Sequence, residues 1–219
     1  MQLQFLFIAF FMGSFAKKDL NGNVFLFPRQ SPSSYVTLSS NLSRPLSKFT
    51  LCLKFYSELS SRYGLLTTST SESESNDVFS LSVVPGSSSL LFTIGSESLY
   101  FKVALDTGNW IKTCVCFDSD SKVMQVWVNN RALVRKVASR NFWSDTQIVM
   151  SLGLLKYAGQ YISFYSFLGE ISDVNMWDYV LPPYSLKQDI FTFAEGNLIN
   201  WSNLDFDIQG NVIVQPSLQ

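Results

Sequence analysis

The sequence predicts an all-β protein, a two-sheet jelly-roll sandwich of lectin-like shape with one short helix over residues 184–191. Three observations carry this. About a dozen short apolar or alternating runs recur along the chain, each bounded by Gly, Pro, Ser, Asn or Asp, the pattern of strands joined by turns. A single stretch has helical character, and it follows Pro182-Pro183, residues that suit a helix's first turn. Hydrophobic residues make up 47% of the chain and charged residues 15%, with 19 phenylalanines among 219 residues. A chain of this length buries roughly 70% of its unfolded surface, so one full core needs no staples.

The elements follow in order. Residues 1–16, MQLQFLFIAFFMGSFA, are apolar and free of Lys and Arg, and they end in Ser14-x-Ala16 ahead of Lys17-Lys18-Asp19. This small-x-small ending reads as a secretory signal peptide cut after Ala16, leaving 17–219 as one domain. The apolar run falls short of the ~20 residues that a membrane-crossing helix needs, and no later run reaches that length. Val24–Phe27 and Tyr35–Leu38 read as extended pieces around a Pro- and Ser-rich loop. Residues 48–56 alternate most clearly, with Phe49, Leu51, Leu53 and Phe55 on one face and Thr50, Cys52, Lys54 and Tyr56 on the other. Residues 66–77 start as a polar strand and become an acidic, Ser-rich loop.

Val78–Val84, Leu90–Ile94, Leu99–Val103 and Trp110–Phe117 follow as strands. Val123–Val128 and Ala132–Val137 flank Asn129-Asn130, a two-residue hairpin turn, because Asn tolerates positive φ. Ile148–Gly153 and Tyr161–Leu168 read as strands, and Val212–Val214 closes the chain. Gly169–Leu181 is apolar on both sides: Val174 and Met176 share one face, while Ile171, Trp177 and Tyr179 share the other. Such a strand is central and buried on both faces, or it carries a bulge that changes its phase.

A net charge of −1 leaves no footprint for nucleic acid or an anionic membrane. No histidine is present to serve as an acid–base group. Glu170 and Asp173 are an odd number of residues apart, so a regular strand would turn them to opposite faces, against a glycosidase pair. Asp118-Ser119-Asp120-Ser121 reads as a hairpin turn. The sequence therefore points away from an enzyme. The three cysteines are Cys52, Cys114 and Cys116. In a secreted chain one pair is oxidised and the third is left over. Cys114 and Cys116 share a strand face about 6.5 Å apart along it, so only one can sit opposite Cys52. A bridge closing about sixty residues would stabilise by about 4 kcal/mol in the chain-entropy model. Zinc would need a fuller ligand set than three thiols without histidine.

Several stretches, in order, resemble the short pentraxin family: FLFPRQSPSSYVTLS, RPLSKFTLCLKFYSELSSRYG, LLFTIGSESLYFKV, VMQVWVNNRALVRK, FLGEISDVNMWDYVL and NLINW. The similarity runs from about Asn23 to the C-terminus. The family signature, His-x-Cys-x-Ser/Thr-Trp-x-Ser/Thr, reads here as Lys112-Thr113-Cys114-Val115-Cys116-Phe117-Asp118-Ser119. The resemblance implies a Cys52–Cys114 bridge with Cys116 as the odd thiol. It also implies a jelly roll with a helix across one face and assembly into a cyclic homo-oligomer, commonly a pentamer. On the opposite face it implies two calcium ions that bind phosphocholine, phosphoethanolamine or polysaccharide-type ligands of microbes and damaged cells. In this acute-phase, innate-immune family the helix face recruits complement and Fc receptors.

The ligand positions diverge. The family's Asp-Asn pair aligns with Ser75-Asn76, beside Glu74 and Asp77 in a loop that also holds Glu72. Its second calcium loop aligns with Leu154–Ser166, LLKYAGQYISFYS, which has no carboxylate and carries Lys156. Calcium takes about 6–8 oxygen ligands, so the paired site is expected to be absent or severely weakened, with Asn76, Asp77 and Gln160 as the residual donors for one weak ion. The choline-cradling positions read Leu81, Thr93 and Ser98, with Glu97 one residue away and so on the other strand face. Lys156, Tyr157, Tyr161 and Tyr165 offer a direct, metal-free surface in their place. The family's complement-contacting positions read Asn129 and Ile190, so those contacts do not carry over. Asn41 and Asn200 head Asn-x-Ser triplets, and Asn41 is the better glycan candidate. Two functions follow: a secreted, oligomeric recognition protein of innate immunity, or a ring-forming structural or carrier protein without the ligand site.

Overall fold

The structure, a computed structural model, describes residues 17–41, 45–70, 73–106, 108–139, 147–157, 160–188 and 195–218. The signal-peptide assignment to residues 1–16 lies outside them. The strands in chain order begin with β1 (Asn23–Phe27), β2 (Tyr35–Asn41), β3 (Lys48–Tyr56), β4 (Tyr63–Thr70), β5 (Ser73–Val84) and β6 (Ser89–Ile94). Then come β7 (Glu97–Lys102), β8 (Ile111–Asp118), β9 (Val123–Val128), β10 (Arg131–Ala132), β11 (Lys136–Val137) and β12 (Gln147–Leu152). The last are β13 (Lys156–Tyr157), β14 (Gln160–Tyr161), β15 (Gly169–Trp177), β16 (Phe206–Gln209) and β17 (Ile213–Pro216). One sheet runs β10-β9-β8-β3-β15-β1-β17, with β11 also on β9, and the other runs β16-β2-β12-β4-β5-β6-β7. Among the described residues one α-helix, α1 (Pro183–Lys187), completes the predicted jelly-roll sandwich.

The alternation read in β3 fixes which way its sheet faces. Phe49, Leu51, Leu53 and Phe55 enter the common core between the sheets. Phe49 stacks on Phe79 of the other sheet at 4.8 Å, and Phe79 stacks on Phe92 at 5.4 Å. At the other end Phe25 meets Trp201 and Phe206 edge-on at 5.2 and 5.0 Å. Such pairs add to the apolar area buried, which is what a phenylalanine-rich interior gains.

β15 resolves its own ambiguous pattern through a bulge. Its register against β3 runs Glu170↔Tyr56, Ile171↔Phe55 and Ser172↔Lys54, then resumes at Asn175↔Cys52, with Asp173 at φ +53°. The extra residue shifts the phase, so Ile171, Val174 and Met176 all face the common core. It also cancels the parity argument for Glu170 and Asp173. Asp173 sits at the bulge and pairs with the Lys54 ammonium at 3.1 Å. At the strand's start Gly169 has φ +132°, and a Cβ there would collide with the Tyr56 carbonyl.

The outward face of the same sheet carries a second, smaller core. Cys52 and Cys114 form the disulfide across β3 and β8, joined by Cys116, Trp127 and Trp177 under Leu181 and Leu186. The register Cys52↔Cys114 puts those two sulfurs opposite each other, while Cys116 faces Thr50. Cys116 is therefore the free thiol, and it is buried. Leu186 brings α1 onto this cluster, and the Trp177 indole N–H donates to the Glu195 carbonyl at 3.0 Å.

Several boundaries differ from the sequence reading. Residues 73–77 continue β5 where a loop was expected. The Thr68 hydroxyl donates to the Phe79 carbonyl and accepts the Phe79 N–H, both at 3.0 Å, and beyond this pair the register shifts before Thr70 meets Ser73. Tyr161–Leu168 is not a strand. After β14 a 3₁₀ turn, Ser163–Tyr165, is closed by the Ser166 hydroxyl on the Ser163 carbonyl at 2.7 Å. The helix spans 183–187, shorter than the expected 184–191, and residues 189–194 lie outside the described residues. The Asn129-Asn130 turn holds, with φ +45° and +65°, but the returning strand is split into β10 and β11. Asp118-Ser119-Asp120-Ser121 is a turn, pinned by Lys48 to Asp118 and Asp120 at 3.2 and 2.7 Å.

Candidate ligand face and its fit to calcium

The outer face of the second sheet is polar, and its register explains how. Cross-strand partners align Thr37, Ser151, Thr67, Ser80, Thr93 and Ser98 in one row across β2, β12, β4, β5, β6 and β7. Successive residues of a strand point to opposite faces, so the flanking apolar residues Leu38, Met150, Leu66, Leu81 and Phe92 enter the core. Thr suits a pleated, half-buried face, and Thr67, Ser80 and Ser151 of this row are buried.

A pocket of about 420 Å³ opens over part of this row. Its lining combines hydroxyls of Ser80, Thr93 and Ser98 and apolar Leu91, Leu155 and Ile162 with Arg62, Lys156 and Tyr165. The Arg62 guanidinium lies over the Tyr165 ring, 4.5 Å from its centroid. Its Nη2 donates to the Ser82 hydroxyl at 3.4 Å, and its Nε is buried without a partner. Arg62 immediately precedes β4, whose first residue, Tyr63, turns into the core. Alternation then leaves Arg62 on the pocket side.

Lys156 is held by its backbone. Its N–H donates to the Thr67 hydroxyl at 3.2 Å, and that hydroxyl donates to the Leu154 carbonyl at 3.2 Å. The absence of a Cβ at Gly64 leaves the space that the Leu155 side chain fills. Pairing of Lys156 with Tyr161 closes the hairpin, and the Lys156 ammonium stands 5.2 Å from the Tyr161 ring centroid. Tyr161 in turn packs on Tyr35 at 4.7 Å. Burial and the Tyr161 hydroxyl together hold the Tyr35 phenol above its ordinary pKa.

The structure brings Thr93, Ser98, Lys156 and Tyr165 into one pocket, with Tyr161 beside it. Leu81 does not join them. It is 1% exposed and belongs to the core. Ser80 occupies the outward position instead, because a one-residue offset on a strand reverses the face. Glu97 is engaged elsewhere, accepting the Ser139 N–H and hydroxyl, both at 2.8 Å. Gln160 is exposed on the hairpin tip and does not line the pocket. The side chains of Asn41, Asn76, Asp77 and Tyr157 lie outside the described residues. Asn129 serves its turn, its Oδ1 accepting the Lys112 N–H at 2.9 Å. The Asn200 amide is occupied, donating to Glu195 at 3.1 Å and accepting from the Ser202 N–H at 3.0 Å. Sequence reasoning passed over Arg62. Its only signal was an arginine directly ahead of an apolar strand.

Among the described residues the donor chemistry does not suit calcium. The 154–166 segment supplies an ammonium, hydroxyls and an amide where carboxylates would be needed. Among the described residues no three His, Cys, Asp or Glu side chains gather as a metal group. Among the described residues no helix is long and apolar enough to cross a membrane.

Comparison with known proteins matches the description "Pentaxin family" over residues 23–216. C-reactive protein of Xenopus laevis is 34% identical over 221 residues, covering 99% of this chain and 91% of that protein. Mucosal pentraxin of Bos taurus is 35% identical, covering 97% and 96%. Serum amyloid P-component of Homo sapiens is 34% identical, covering 93% and 91%. Among solved structures, the native heptameric SAP-like pentraxin from Limulus polyphemus superposes with a TM-score of 0.79. It is 19% identical and covers 91% of this chain and 97% of that one, a likeness of fold alone. Matched along its length by the family and its relatives, with the expected disulfide in place, this chain belongs to the pentraxin family.

Proposed function

We propose that this pentraxin is a secreted, non-enzymatic recognition protein of innate immunity, assembled as a cyclic homo-oligomer. It binds phosphocholine-type or other microbial and damaged-cell ligands without the family's paired calcium ions. One observation carries the metal-free part: among the described residues the pocket on the outer sheet is lined by Arg62 and Lys156 and by no acidic side chain. Two cations there would repel a metal ion, and nothing would offset the ion's dehydration. The relatives' names support the recognition role. The ring is supported by the heptameric horseshoe-crab relative. Secretion is supported by the apolar residues 1–16 and by a disulfide of the kind that persists in oxidising compartments.

Calorimetric titration of the purified protein with calcium, then with phosphocholine in calcium and in chelator, tests the reading. The expected result is no heat from calcium and equal phosphocholine binding in both buffers. Heat from calcium followed by calcium-dependent binding would restore the ordinary family mechanism. No binding in either buffer would favour a ring-forming carrier that has lost its ligand site, the reading that the missing carboxylates of 154–166 also support.

A further inference from the structure

A second pocket, of about 600 Å³, lies at the edge of the sandwich, where β7 ends one sheet and β10 and β11 flank β9 in the other. Its volume is that of a small-molecule site. Tyr100, Phe101, Leu133 and Val134 supply the apolar and aromatic lining, and Lys102 and Lys136 the charge. Phe101 belongs to the common core, Leu133 packs against that core, and the Leu133 N–H donates to the Val126 carbonyl at 2.8 Å. These walls are therefore preformed. Val134 is 81% exposed and Tyr100 48%, so large apolar side chains also stand uncovered around the opening.

The polar groups of this pocket are unequally committed. The Ser89 hydroxyl donates to the Ser87 carbonyl at 2.9 Å, and the Ser87 hydroxyl to the Val84 carbonyl at 3.3 Å. The Lys136 ammonium stands 5.6 Å from the Phe101 ring centroid. Among the described residues neither Lys136 nor Lys102 joins an ion pair. Residues 97–103 and 131–137 hold Lys102, Arg131, Arg135 and Lys136 against one acid, Glu97. That carboxylate is spent on the Ser139 N–H and hydroxyl.

We propose that this edge pocket binds a free, single-chain amphipathic anion, a medium- or long-chain carboxylate. Its apolar body lies against Phe101, Leu133 and Val134, and its head group is held by Lys102 and Lys136. A neutral amphiphile would leave both ammonium groups unanswered, and a short acid would leave the apolar walls wet. The site shares only Tyr100 with the pocket that holds Arg62 and Lys156, so it is a further site and does not depend on the reading proposed for that one.

The test is calorimetric titration of the purified protein with decanoate below its micelle concentration, with decanol and hexanoate as neutral and short-chain comparators. Lys102→Gln, Lys136→Gln and Val134→Asp are titrated alongside, each first checked for an unchanged thermal transition. Lys102 and Val134 are exposed, so those two variants keep the fold whatever becomes of Lys136→Gln. The expected result is one decanoate per chain, with hexanoate at least about tenfold weaker. Decanol should also bind about tenfold more weakly, and each lysine variant about threefold. Val134→Asp should weaken decanoate by a similar factor, because it sets a like charge at the opening. No decanoate binding, or binding that all three variants retain, would overturn the proposal. Decanol binding as tightly as decanoate would overturn the ligand class. Decanoate that phosphocholine displaces would belong to the outer-face pocket, which also overturns the assignment. Decanoate that splits the oligomer in light scattering would show the pocket to be the seat of a second copy instead. Capture by phosphatidylglycerol vesicles that Lys102→Gln weakens and decanoate leaves intact would replace the free ligand with a membrane surface.

Discussion

The Thr50 hydroxyl donates to the Tyr179 carbonyl at 2.9 Å and accepts the Leu181 N–H at the same distance. One side chain in the middle of β3 thus fastens the chain leaving β15 over the disulfide and leads it into α1. Thr50 is fully buried.

Thr50→Val keeps the shape but leaves that carbonyl and N–H unpaired beneath the helix. Unfolding stability is expected to fall by about 1–3 kcal/mol, read from urea midpoints at constant m. A loss below about 0.5 kcal/mol would show that this crossing does not secure the segment.

Cys116 gives a pH signature. Burial pushes its thiol up to about 11 from 9.0, against a smaller downward pull from the Thr50 hydroxyl. The native thiol therefore keeps its proton where the unfolded thiol has lost it. The native state binds more protons in that window, so stability is full below about pH 9 and falls as pH rises towards about 11. Buried Tyr63, its phenol also raised by desolvation, adds a loss in the same direction at the alkaline end. Urea unfolding across pH 8–11 should show the decline, with a shallower slope in Cys116→Ala. Thiol-reactive probes should label native Cys116 only at the rate of unfolding, since thiolate and access are both withheld.

Leu81 separates scaffold from site. Because it faces the common core, Leu81→Ala should cost about 2–5 kcal/mol of stability. Ligand affinity at temperatures where the protein stays folded should not change. A variant of normal stability with impaired ligand binding would return Leu81 to the pocket.

Much of this was legible because strand periodicity is strict. The β3 alternation, the Asn129-Asn130 turn and the Phe-rich interior followed from period two and turn chemistry. The disulfide partner required the family resemblance, because Cys114 and Cys116 share a face and spacing alone could not choose between them. That Leu81 faces the core shows only once the strand register is known, because a shift of one residue inverts the face. The β15 bulge was foreseen only as one of two possibilities, since a positive φ at Asp173 leaves no compositional mark. Arg62 was missed for a further reason. Its contacts are with Tyr165 and Ser82, which are distant from it in sequence and meet it only in the fold.

The two outer faces are unequal. One is sealed by a helix, two tryptophans and a disulfide, whereas the other carries a row of serine and threonine hydroxyls, part of it buried. Changes to well-separated groups add nearly independently, so substitutions on the hydroxyl lattice leave the sealed side undisturbed. Such an arrangement lets a lineage alter the surface chemistry of one face while the packing of the opposite face is retained.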